Sequence, residues 1–204
     1  MYDFIDRTVL QAVKYEDPIP YIHKVSDHLD ILPAEDFLSL LPRYLHREYK
    51  GNPATLLRET LGKVKNEYDF ILIDLPPNLG DHTINGLTAS DYALVMLQSE
   101  PFCYDALDRY LEFLSGVQNK TNPDLHLVGI LTTMLESRAT LDATILQQAK
   151  EDYEELVFQS VIRRRSRIKE FSIEGIQNHL KADQVVIEPY IKFVEELLDR
   201  FQEG

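Results

Sequence analysis

The sequence predicts an α/β protein built on a doubly wound, mainly parallel sheet flanked by helices. Residues 68–74 (YDFILID) form a nearly continuous β-favouring apolar run closed by a carboxylate, as a strand buried on both faces reads. Three more short apolar runs follow, at 92–97 (YALVML), 125–132 (LHLVGILT) and 157–162 (VFQSVI), and stretches of helical spacing alternate with them. Ligands of such sheets sit beyond the carboxyl ends of the strands, so a site is expected at the C-terminal end of residues 68–74.

The remaining elements follow in chain order. Apolar residues at helical spacing before Pro18 and Pro20 predict a helix over 2–13, and the prolines predict an extended connector after it. Residues 29–33 (LDILP) read as a short strand stopped by proline. Helices are expected over 35–45 and 53–66, separated by the Gly51-Asn52-Pro53 break, and then near 83–90, 103–118, 140–153, 167–178 and 188–202. In the last of these, Tyr190, Ile191, Val194, Leu197 and Leu198 share one side and are expected to pack across the sheet.

At 204 residues with 44% apolar content the chain can bury one sizeable core, so a single domain over 1–204 is expected. No apolar run approaches the ~20 residues that span a bilayer, so no membrane contact is expected. The start MYDFIDRTVL has no basic segment followed by an apolar stretch, and a cytoplasmic location is expected. The one cysteine, Cys103, excludes an internal disulfide and a thiolate zinc cluster. A net charge of -13 repels nucleic acid as a whole, which confines any such contact to a local patch. Arg163, Arg164, Arg165, Arg167 and Lys169, five cations within seven positions, are that patch. On charge alone they read as a DNA surface or as a solvated face with salt bridges to Glu170 and Glu174.

After Asp74 come Leu75, Pro76, Pro77, Asn78, Leu79 and Gly80. Two prolines and a glycine directly behind a strand-terminal aspartate build a fixed turn that leaves the carboxylate facing whatever binds there. Such an aspartate suits Mg²⁺, which keeps most of its water and prefers hard oxygen ligands; it equally suits capping of the next helix. Asp81 reads as a helix-capping residue or a group that orients water. The six histidines show no metal-ligand spacing, and there is no G-x-S-x-G elbow.

Residues 68–100, with D-L-P-P-N-L-G, T-x-N-G-L and A-x-D, then V-M-x-Q-x-E, resemble the Walker B strand, switch II and following strand of ParA/MinD-type partition ATPases. The T-M-L-E-S-R stretch from Thr133 and the V-F-x-S-x-I-R-R-x-x-R-x-x-E stretch from Val157 resemble two further family segments. The resemblance implies a P-loop NTPase-like fold, ATP-dependent homodimerisation, slow ATP hydrolysis with Mg²⁺, non-specific DNA binding and a centromere-binding partner protein. It further implies a nucleoid-associated place in plasmid or chromosome partition. It puts the catalytic and metal-side carboxylate at Asp74, switch II at Pro76, Pro77, Asn78 and Gly80, the nucleotide base near Thr133, Met134, Ile162 and Arg163, and DNA at Arg164, Arg165, Arg167 and Lys169. On the residues alone, Thr133 and Ile162 also suit strand-end packing.

The departures matter. No G-x-x-x-x-G-K-[ST] occurs, and a P-loop needs its glycines so that backbone amides can surround phosphate oxygens. Leu75, Met96 and Arg163 replace residues usual in the family. The family strands that flank the Walker B strand precede the position of Met1, so residues 68–74 face three fates: the sheet closes up around them, another chain fills the gap, or the chain is a piece of a longer product. Two functions follow. One is a ParA-like ATPase, or its C-terminal portion, inactive without Walker A; the other is a P-loop-less interaction module, without a cofactor of its own, that regulates a complete partition ATPase.

Overall fold

A computed structural model of the chain describes residues 7–98, 101–135 and 140–203. These fall into two compact units, one comprising Met1–Asp91 and Phe113–Leu125, the other Tyr92–Glu112 and His126–Gly204.

The first unit is mostly helical. Helix α1 (Val9–Lys14) starts where the Thr8 N–H donates to the Gln11 side chain at 3.2 Å. Strands β1 (His23–Ser26) and β2 (Leu29–Ile31) then form an antiparallel hairpin. The strand expected at 29–33 is therefore real but lies outside the parallel sheet, because the unforeseen strand His23–Ser26 takes its ladder. The helix expected over 35–45 is a 3-10 turn (Asp36–Leu40) running into α2 (Leu41–Arg47), and that expected over 53–66 shortens to α3 (Leu56–Leu61). Helix α4 (Asp81–Ala89) completes the set. The core joins Leu10 and Val13 of α1 to Leu41, Leu45 and Leu56. Buried Asn85 ties α4 to α3, its amide donating to the Pro53 carbonyl at 2.8 Å while its oxygen accepts from the Leu57 N–H at 3.3 Å.

Residues 68–74 are where the expected strand does not form. They are irregular, with no strand pairing among the described residues. A β-prone run becomes a strand only when ladders satisfy its backbone groups; without them the backbone turns to water. Phe70 is accordingly 58% exposed and Leu72 90% exposed, so the sheet has not closed up around them. At the N-terminal end of the run, the Tyr68 hydroxyl donates to Asp30 at 2.8 Å, and that hydrogen bond, with burial and the Asp30 charge, pushes the phenol up to about 12.

The second unit holds the parallel sheet: β3 (Tyr92–Gln98), β4 (His126–Leu135) and β5 (Val157–Arg163), in that order. One face packs against α5 (Pro101–Lys120) and α6 (Thr140–Tyr153), through Leu107 and Ala149 on Val95, Leu97, Ile130 and Val157. The Tyr153 hydroxyl donates to Asp108 at 2.6 Å and Tyr104 donates to Asp152, fastening the two helices reciprocally. After β5 comes α7 (Ser166–Glu174), and α8 (Lys181–Glu203) covers the other face. Helices on both faces of a parallel sheet bear out the predicted fold class.

The face that α8 presents is the expected one only at Leu197. Phe193 and Leu197 pack on Leu131, Phe158 and Ile162, while Ile191 is 53% exposed and Val194 48%. Two polar residues set this orientation. The Glu196 carboxylate accepts the Gln159 and Ser160 N–H groups at 2.7 and 2.8 Å. The Arg200 guanidinium donates to the Val128, Leu156 and Val157 carbonyls at 2.9, 3.2 and 3.3 Å and lies 3.8 Å from the centre of the Phe158 ring. A hydrophobicity pattern gives no weight to either residue.

Candidate functional site

In the first unit, the turn behind Asp74 is held from within. The Asn78 N–H donates to the Pro76 carbonyl at 2.8 Å, its side-chain oxygen accepts from the Gly80 N–H at 3.1 Å, and its carbonyl accepts from the Thr83 hydroxyl at 2.5 Å. The Leu75 side chain packs where a Cβ on Gly86 would stand, so a glycine at 86 lets the turn lie against α4. Two histidines brace the start of that helix: His46 meets the Asp81 carboxylate at 3.1 Å, and His82 meets the Leu38 carbonyl at 2.9 Å. Gly80 is the N-cap and Asp81 the first helical residue. Asp74, Pro76, Pro77 and Asn78 are exposed, so the carboxylate faces solvent. No group of three metal-ligating side chains forms among the described residues. A single carboxylate fits Mg²⁺, which takes one or two protein ligands and completes its shell with water and substrate oxygens.

In the second unit, the register of β4 with β5 sets Thr133 opposite Ile162 and Leu135 opposite Arg163. Met134, between them, is the extra residue at an irregularity in the ladder. Its φ is 61°, and it is 52% exposed, whereas Thr133 and Ile162 are buried. A non-glycine residue in the left-handed region stores strain of about 1–3 kcal/mol. The four residues expected near a nucleotide base thus converge at the carboxyl ends of two adjacent strands. Next to them, the buried Thr132 hydroxyl has no hydrogen-bond partner among the described residues. Glu136 and Arg138 of the T-M-L-E-S-R stretch, like Glu100, lie outside the described residues.

The basic segment is divided in its behaviour. Arg164, Arg165 and Lys169 are exposed. Arg167 is engaged: its Nε donates to Asp183 at 2.7 Å, its Nη1 reaches Glu170 and, at 3.5 Å, Glu174, and its guanidinium lies 5.0 Å from the Phe171 ring centre. The Glu170 and Asp183 carboxylates hold it still more firmly protonated. Burial alone would raise the Asp183 carboxyl, yet the Leu180 N–H and the Arg167 guanidinium keep it below its ordinary value. Sequence reasoning passed over Asp183; its only signal was a carboxylate in the first turn of a long helix.

A family profile described as an AAA domain matches residues 3–127. Sporulation initiation inhibitor protein Soj of Bacillus subtilis is 35% identical over 154 residues, 73% of this chain and 58% of its own length. Chromosome partitioning protein ParA of Myxococcus xanthus is 31% identical over 174 residues, 82% of this chain and 59% of its own. Among solved structures, cobyrinic acid a,c-diamide synthase from Mycobacterium smegmatis with bound ADP and magnesium has a TM-score of 0.67 at 30% identity, over 75% of this chain and 63% of that one. The chain therefore spans under three-fifths of the length of each of these two curated relatives. With most of its length under one family profile and a chromosome partitioning protein ParA matched at 31% identity, the chain belongs to the ParA/MinD-type partition ATPase family.

Proposed function

We propose that this chain supplies the magnesium-side turn and the base-side strand ends of a partition ATPase that dimerises on ATP, binds DNA non-specifically and answers to a centromere-binding partner. The observation that carries the reading is Met134: the position where the family resemblance puts the nucleotide base is also a strained, half-exposed bulge at the end of a buried strand. Asp74 would hold the magnesium, which screens phosphate charge when bound, and the Pro76-Pro77-Asn78 turn would fix that carboxylate's direction. The phosphate-gripping loop is not within the 204 residues, so binding by the chain alone is expected to be negligible.

Isothermal titration tests this. The chain by itself should give no micromolar affinity for Mg-ATP, and a polypeptide joining it to an upstream segment that carries a G-x-x-x-x-G-K-[ST] loop should. Asp74→Asn in the joined protein should then lower hydrolysis at least tenfold. Micromolar binding by the isolated chain would overturn the assignment. An interaction module without ATPase activity would instead be indicated if the joined protein bound no nucleotide yet still associated with a complete partition ATPase.

DNA contact is proposed for Arg164, Arg165, Arg167 and Lys169, with Arg167 holding the segment in place through its carboxylate partners. Replacing Arg164 and Lys169 together by alanine should weaken retention on DNA at low salt and flatten the salt slope by roughly 0.9 for each phosphate no longer neutralised. Unchanged retention would count against this surface.

A further inference from the structure

A cleft of about 200 Å³ lies beside the end of β5 in the second unit, lined by Val161, Arg163, Arg165, Val186, Pro189 and Tyr190. Its two cations differ from their neighbour. Arg167 is saturated by carboxylates, whereas among the described residues neither Arg163 nor Arg165 forms an ion pair. Both are exposed. Arg163 closes β5 and Arg165 keeps extended backbone, with φ -138° and ψ 133°. Two residues apart on an extended chain, they stand on one side about 6.6 Å from each other. That interval is close to the spacing of successive phosphates along a nucleotide backbone.

The opposite wall is of another kind. Val186, Pro189 and Tyr190 of α8 offer aliphatic, imino-ring and aromatic surface. A ligand that satisfies both walls carries anionic groups at regular spacing and a flat, largely apolar part. Such a combination of cations tracking a backbone and an aromatic that stacks a base is how single-stranded nucleic acid is held without sequence preference. An acidic peptide would satisfy the arginines but gain little from the tyrosine. We propose that this cleft takes an unpaired nucleotide of single-stranded DNA, with flanking phosphates on Arg163 and Arg165 and the base against Pro189 and Tyr190. The proposal rests on the DNA-binding reading of the basic segment, extends it to Arg163, which the family resemblance puts near the nucleotide base, and adds to it a preference for unpaired strands.

Fluorescence anisotropy of the 204-residue chain with a labelled oligo-dT and with a duplex of equal length, at low salt, tests it. Tyr190→Ala should weaken oligo-dT binding roughly tenfold and Tyr190→Phe should restore it, as expected for one stacked base. Duplex binding should change less than twofold in both. Arg163→Glu, at an exposed position, serves as a second variant and should abolish the preference for the single strand. If Tyr190→Ala leaves oligo-dT affinity unchanged while the Arg164 and Lys169 replacements abolish DNA binding, the cleft proposal falls and the DNA reading survives. If neither form of DNA binds the wild-type chain, both fall. Displacement of oligo-dT by a poly-glutamate peptide of equal charge, as readily as by unlabelled oligo-dT, would overturn the nucleotide assignment in favour of an acidic partner.

Discussion

At the level of single residues, the second unit depends most sharply on Gly129. Its φ is 149°, and a Cβ there would run into the Arg200 guanidinium, the Phe158 ring and the Leu156 carbonyl. The glycine is needed twice, once for its backbone and once for space. Gly129→Ala should therefore cost roughly 3 kcal/mol, from strained backbone and overpacking together. Urea unfolding measures it, and a loss below about 0.5 kcal/mol, the level of an ordinary surface change, would refute the account. Met134 shows the opposite case, a side chain kept in the left-handed region where glycine would sit without strain.

Among the elements, α7 and α8 are coupled by the Arg167–Asp183 pair. The Asp183 carboxyl lies below its ordinary value when folded, against about 3.9 when unfolded. A depressed carboxylate gives stability that is fully present above the unfolded value and is lost as pH falls through the folded one. Asp183→Asn should accordingly be clearly less stable than the parent at pH 7, and the gap should close at an acid pH below the depressed value of the folded carboxyl. Thermal melts at both values check this; an equal gap at both would show that the charge is irrelevant. Glu196 acts in the same sense at the edge of β5. Its carboxylate is held low by the Gln159 and Ser160 N–H groups despite burial that would raise it. By capping those two donors it also removes the template that an exposed edge strand offers to another chain.

For the molecule as a whole, residues 70–72 are an exposed apolar run. Phe70, Ile71 and Leu72 are β-prone and exposed at 58%, 39% and 90%. Apolar groups left in water in this way promote association with any surface that covers them. Leu72→Asp should lower concentration-dependent self-association of the 204-residue chain in sedimentation velocity without changing its circular dichroism. Equal association in parent and variant would show that the patch is not the contact.

Residue order was enough to define the parallel strands β3, β4 and β5, the helices between them and the family, because apolar runs and motif spacing are local signals that survive whatever surrounds them. The family resemblance named Thr133, Met134, Ile162 and Arg163 together, and the strand register sets Thr133 opposite Ile162 and Leu135 opposite Arg163. Three features were settled only by packing. The run at 68–74 is no strand, since a strand is completed by its neighbours and not by its own composition. Helix α8 turns Phe193 inward and leaves Ile191 and Val194 exposed because Glu196 and Arg200 find backbone partners on β4 and β5 that no periodicity reveals. Arg167 is separated from the other basic residues of its segment because Asp183, sixteen positions away in the chain, reaches it only once α7 and α8 have packed.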